Sequence, residues 1–195
     1  MATKEDILEQ LVEEYLIHKG YFVRHNVKYL PRLNHPAFVR NKDSNHSDID
    51  VLGLNPNQVG KDHVWAVSCK SWQAGFNPDA ELRNIADGKV VRGREAWKSF
   101  RELASDKWAE AFRHAVFDAC GSREFTYVLA VAKLSGAKER WEQNKEFIDR
   151  LGGNPIRIIT FREMVGEVYN KLDTTLAASE MGRMLQMFKA AGIKL

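Results

Sequence analysis

Strand-like runs and helical stretches alternate along this chain, and their order constrains the fold more than any other feature. Leu8, Leu11, Val12, Tyr15 and Leu16 recur at i, i+3, i+4, i+7 and i+8. That apolar stripe predicts a helix over about residues 4–19, stopped at Gly20. Residues 21–29 (YFVRHNVKY) are aromatic and β-branched and read as a strand, followed by a polar loop at 32–47. Two apolar runs, 49–54 and 64–67, flank the turn-forming segment 55–62, which is the pattern of a β-hairpin. Residues 79–119 have helix-friendly composition with breaks near Gly88 and Gly93, predicting two or three helices. A strand at 125–134, a helix at 137–151, a strand at 156–161 and helices at about 162–172 and 175–191 complete the chain. Read in order, α, β, β, β, helices, β, α, β, α with no internal repeat predicts one α/β domain over residues 1–195, built on a mixed sheet.

The 195 residues are 44% apolar and 28% charged, the balance of an ordinary globular protein. No run approaches the roughly 18 apolar residues of a membrane span. The start of the chain is too polar and acidic for a signal peptide, so the expectation is a cytoplasmic protein with no membrane partner. Cys69 and Cys120 stand far apart, with no Cys-x-x-Cys or His-x-x-x-His pair, and are expected to be reduced thiols rather than zinc ligands. A net charge of +3 is too small to mark a nucleic-acid binder. Between residues 83 and 101, however, six basic residues (Arg83, Lys89, Arg92, Arg94, Lys98 and Arg101) face only two acids, Asp87 and Glu95. That local surplus exceeds the surplus of the whole chain.

The residue with the clearest chemical implication is Asp50, a carboxylate inside an apolar strand run. Desolvating such a group costs several kcal/mol unless something compensates its charge. Strand alternation places Asp48 on the same face as Asp50, and Ser68 and Lys70 together on one face of the partner strand. Normal pairing of the hairpin brings Asp50 and Lys70 to the same end of the sheet. A carboxylate beside an ammonium is either a plain ion pair or a site that holds a divalent metal and positions a water.

The run Asp50-Val-Leu-Gly, a loop, then Val64-Trp-Ala-Val-Ser-Cys-Lys70 resembles the strand-turn-strand signature of the PD-(D/E)xK nuclease superfamily, whose fold is restriction-endonuclease-like: a mixed sheet flanked by helices. The leading segment from Leu8-Glu9 to Lys19-Gly20-Tyr21 is similar to the opening helix of Mrr-type restriction endonucleases and archaeal Holliday junction resolvases, and Lys70-Ser-Trp72 looks like the Lys-x-Trp ending of Mrr-like members. The resemblance covers residues 5–72 by motif and the remainder by element order. It implies a metal-dependent nuclease acting on DNA, with RNA as the alternative substrate. Asp50 would bind Mg²⁺ or Mn²⁺, Glu9 would approach the metal, the Cys69 carbonyl would be a further ligand, and Lys70 would position the attacking water and stabilise the phosphate. Hard cations with oxygen ligands suit that chemistry. The chain departs from the pattern at Ser68, where the family has Glu or Gln, so an anionic ligand is missing. Asp48 is the sequence's candidate to replace that charge.

Trp72 reads as either core or a stacking platform for a base, and Arg92, Arg94 and Lys98 as candidate phosphate contacts or a solvated charged face. His46 is the histidine nearest the proposed site and reads as a loop residue. No P-loop, dinucleotide-binding glycine pattern or serine nucleophile elbow is present. Cys69 would lie on the face away from Lys70, which argues against a thiol nucleophile. Ala177, Met181, Met184, Leu185 and Phe188 form an apolar side on the last helix, read as core or as a homodimer contact. The rival to an enzyme is a nuclease-fold protein that has lost catalysis and works by binding DNA or a partner.

Overall fold

A computed structural model describes residues 6–91, 93–172 and 176–194. A five-stranded mixed sheet in the order β1-β2-β3-β6-β7 carries helices on both faces. β1 (Phe22–Tyr29), β2 (Ser47–Leu54) and β3 (Val64–Lys70) form an antiparallel meander. β6 (Thr126–Val131) and β7 (Ile156–Thr160) add to β3 in parallel. All six residues of β6 are buried, because a central strand covered by helices on both sides has no wet face.

Side-chain alternation divides the apolar residues between two cores. Leu52, Ala66, Tyr127 and Leu129 face one side, where they meet Phe100, Trp108, Phe112 and Trp141. The helices there are α4 (Arg101–Ala104), α5 (Asp106–Cys120), α6 (Glu139–Glu142) and α7 (Lys145–Arg150). Val51, Val67 and Val128 face the other side, against α1 (Ile7–His18), α8 (Phe161–Lys171) and α9 (Glu180–Ala190). Asp6 caps α1, accepting from the Leu8 N–H at 2.9 Å, and the predicted stripe at Leu8, Leu11, Val12 and Leu16 is buried.

The last helix is docked by a buried carboxylate. Glu14 of α1, with no exposed surface, accepts from the N–H groups of Ala178 and Ser179 and from Ser179 Oγ, at 2.7–3.1 Å. Gly182 makes this approach feasible: a Cβ there would lie 2.3 Å from Glu14 Oε2. Met181 and Leu185 are core, while Met184 and Met187 stay exposed. The sequence placed the start of this helix at 175, which lies outside the described residues; the described helix begins at Glu180, after the Ser179 cap.

Three further segments differ from the sequence expectation. Within 79–119, α3 (Pro78–Ala86) is followed by a two-stranded ribbon, β4 (Val90–Val91) and β5 (Arg94–Glu95), then by a 3₁₀ turn at Ala96–Ser99. Gly93 turns that ribbon at φ +76°, where a residue with a Cβ is strained, so the basic run is not one helical face. The loop at 32–47 contains the short helix α2 (Arg40–Asp43). Its buried Asp43 accepts from Lys107, the Trp108 indole and the Val39 N–H. The predicted 137–151 helix is two short helices, because Asn144 caps a new start by accepting from the Phe147 N–H. Among the described residues, no helix is long and apolar enough to cross a membrane.

Candidate active site

β2 and β3 part at Asp50. Their ladder ends at Val51↔Val67, and the β1–β2 ladder skips Asn26 and Asp50, so Asp50 has no paired residue on either side. Asn26 takes a positive φ of 53°, consistent with a local break in β1. The Asp50 side chain fills the gap. Its Oδ2 accepts the Cys69 N–H at 2.6 Å, so a carboxylate oxygen stands where a backbone carbonyl would continue the ladder.

The Cys69 carbonyl points to the β2 edge of β3. Lys70 O accepts from the Ala132 N–H at 3.3 Å across the parallel ladder, so the peptide groups of Cys69, one residue earlier, point to the opposite edge of β3. The Cys69 thiol packs on the α1 side. Burial, and then the negative charges of Asp50 and Glu9, push it well above the usual thiol range, which leaves it a poor nucleophile.

A cavity of about 320 Å³ lies at the parting of the strands. Asp48, Asp50, Ser68, Lys70, Trp72, Arg94 and Lys98, all identified from the sequence, line it. Lys70 Nζ donates to Ser68 Oγ at 2.8 Å, so Ser68 aims the ammonium. Asp48 is also engaged by its cross-strand partner Lys28 at 2.5 Å, which weakens its case as the replacement anion. Trp72 is half-buried and packs edge-on to Phe100, with ring centres 5.9 Å apart; it is both core and cavity wall. Lys98 pairs with Glu95 at 2.6 Å. Glu9 is outside the cavity lining, on the α1 side, within electrostatic reach of Cys69. Arg92 lies outside the described residues.

Sequence reasoning missed Glu102 and did not single out Arg101, adjacent residues of α4 that complete the lining together with His46, Ser47 and Ser99. Glu102 is 5% exposed and is clasped by two phenols, accepting from Tyr127 at 2.6 Å and Tyr29 at 3.0 Å. Burial and this carboxylate push both tyrosines well above their ordinary range, which keeps them protonated donors. An acid flanked by Phe100 and Leu103 in sequence was the available signal; the tyrosines come from distant strands and gave none.

Electrostatics single out Asp50. Burial raises its pKa above the usual carboxylate value; Lys70 and the Cys69 N–H oppose that shift, and Asp48 and Glu102 add to it. A desolvated carboxylate near two others is stabilised by an added cation. The carboxylates of Asp48, Asp50 and Glu102 line the cavity, the Cys69 carbonyl points to the β2 edge of β3, and the hardness of these oxygens fits Mg²⁺ or Mn²⁺. Among the described residues, no three His, Cys, Asp or Glu side chains close into a preformed cage. Compared with protein-family models, with curated proteins and with solved structures, the chain matches none of them.

Proposed function

We propose that this protein is a metal-dependent nuclease that hydrolyses phosphodiester bonds in DNA. The observation that carries the reading is the convergence of Asp50, Ser68 and Lys70 on one cavity, at the point where β2 and β3 part. The resemblance of the same two strands to the PD-(D/E)xK signature supports the same chemistry.

In this reading Asp50, the Cys69 carbonyl and Glu102 would hold Mg²⁺ or Mn²⁺, with Glu102 supplying the charge absent at Ser68. A bound ion would neutralise charge on the phosphate and lower the pKa of a coordinated water. Lys70, aimed by Ser68, donates to the attacking water or to a phosphate oxygen and stabilises the negative charge that develops there. The Tyr29 and Tyr127 hydroxyls hold the Glu102 carboxylate fixed in place. Cationic walls from Arg94, Lys98 and Arg101 favour a polyanionic substrate.

The test is incubation with supercoiled, linear and branched DNA under Mg²⁺, Mn²⁺ or EDTA, with Lys70→Ala purified in parallel. We expect cleavage that EDTA and Lys70→Ala both abolish. Mn²⁺ should support more activity than Mg²⁺, because Asp50 and Glu102 are already held by protein hydrogen bonds, and donors fixed in that way suit the less geometry-demanding ion. Salt-sensitive DNA binding by the wild type without cleavage under any metal would refute the enzyme and leave a binding protein.

A further inference from the structure

Arg101 is 8% exposed, lines the cavity, and its Nε–H is buried without a hydrogen-bond partner. A buried orphan donor costs about 1–3 kcal/mol, more on a charged group, so its retention calls for an explanation. The acids nearby do not provide one. Asp43 is satisfied by Lys107 at 2.6 Å, by the Val39 N–H and by the Trp108 indole, and Glu102 by its two tyrosines. Among the described residues, neither acid forms an ion pair with Arg101. Its one hydrogen bond there runs from Nη1 to the Asn45 carbonyl at 3.3 Å, long for a guanidinium.

The group is nevertheless held rigidly. Its Cζ lies 4.5 Å from the centre of the Trp108 ring, within cation–π distance. Burial and the like charge of Arg94 both press against its protonated form. Arg94, exposed on the β5 ribbon, lines the same cavity and has no ion-pair partner among the described residues. Two guanidiniums converge on one polar cavity, one of them buried with an unused donor. An anion with several acceptor oxygens would relieve the repulsion and accept from the Arg101 guanidinium where it meets the cavity.

We propose that Arg101 and Arg94 form a phosphate-binding subsite in this cavity, which holds a backbone phosphate beside the one attacked at Asp50 and Lys70. The position relative to the scissile bond rests on the nuclease reading; the anion site itself rests on the arginines alone. A guanidinium suits this task better than an ammonium, since its planar fork meets two phosphate oxygens at once.

The experiment measures binding of inorganic pyrophosphate by calorimetry and of a short labelled DNA duplex by anisotropy over a NaCl series, both in EDTA. Wild type is compared with Arg101→Lys and Arg94→Ala. Arg101→Lys keeps the charge over Trp108, and Arg94→Ala alters an exposed residue, so at least one variant folds normally; thermal melts verify this. We expect each variant to bind pyrophosphate about tenfold more weakly. For Arg94→Ala, the DNA salt dependence should fall by about one counterion. Unchanged binding of both probes by both variants overturns the subsite, as does a wild type that binds neither. If that unchanged binding accompanies cleavage abolished by Lys70→Ala, the subsite fails and the nuclease stands. If pyrophosphate binding falls in the variants but the wild type cuts no DNA, the subsite stands and the nuclease fails.

Discussion

Asp50→Asn is expected to stabilise the protein at neutral pH while ending cleavage. The amide keeps an oxygen for the Cys69 N–H, which lies 2.6 Å from Oδ2 in the wild type. Charge-assisted hydrogen bonds are roughly twice as strong as neutral ones. With a neutral bond contributing about 1 kcal/mol net, the weaker contact costs about that much. Against it stand the removal of a desolvated charge and of its repulsion with Asp48 and Glu102. These outweigh the attractions of Lys70 and the Cys69 N–H, because the Asp50 pKa is raised overall. A net gain of about 0.5–2 kcal/mol is the usual result of relaxing a functional site. At about 2–4 °C per kcal/mol for a chain of this size, the rise in Tm is measurable. The pH dependence follows from the same shift. A carboxyl that holds its proton more tightly when folded costs the wild type stability as pH rises from the ordinary aspartate range through the raised folded value. Asparagine does not titrate, so the gap between the proteins is full above the folded pKa and closes on acidification. Urea unfolding followed by tryptophan fluorescence, at neutral and acidic pH, measures it. An Asn variant less stable than wild type at neutral pH, or a gap that persists in acid, would refute this account of Asp50.

Two further predictions concern the supporting structure. Gly182→Ala places a methyl 2.3 Å from Glu14 Oε2 and 2.9 Å from Ala177 Cβ, displacing the buried carboxylate from its donors; we expect a loss of about 3–5 kcal/mol in urea unfolding, and a loss below about 1 kcal/mol would mean that the docking has slack. For Asp43, burial pushes the pKa up, but Lys107, the Val39 N–H and the Trp108 indole together hold it below the ordinary aspartate value. Its stabilising contribution is therefore complete above the ordinary aspartate pKa and lost as pH falls through the lowered one. Asp43→Asn should cost about 3–5 kcal/mol at neutral pH, with the difference narrowing in strong acid, and a deficit that is constant across this range would count against the pairing.

Sequence and structure agree best where a local pattern decides the outcome. The stripe on α1, the β2–β3 hairpin and the two later strands follow from periodicity over a few residues, and the Asp50, Ser68 and Lys70 face follows from strand alternation. The site's far wall was not legible. Within the stretch 79–119, read as two or three helices, Val90–Val91 and Arg94–Glu95 pair as a ribbon, because short strands are decided by pairing and a glycine turn rather than by the propensity of the wider stretch. Asp48 and Asp50 looked equivalent in alternation, but pairing across β1 gives Asp48 a lysine and leaves Asp50 in the gap. Glu102 could not be assigned because its meaning depends on Tyr29 and Tyr127, which the chain brings from 73 residues before and 25 residues after it.

That clasp also ties the site to a long-range pairing. β2 and β3, which carry Asp50 and Lys70, are consecutive strands joined by residues 55–63, a far more local pairing than that of β3 with β6. β6 must travel from beyond α5 to lie parallel to β3, a slow closure over a long loop, and only its arrival delivers the Tyr127 hydroxyl to Glu102. The wall of the cavity therefore depends on a long-range pairing. A chain still folding, or one whose β6 has peeled away, has the two strands that carry Asp50 and Lys70 but lacks the wall that completes the site, so competence at the cavity reports on whether the whole sheet is closed.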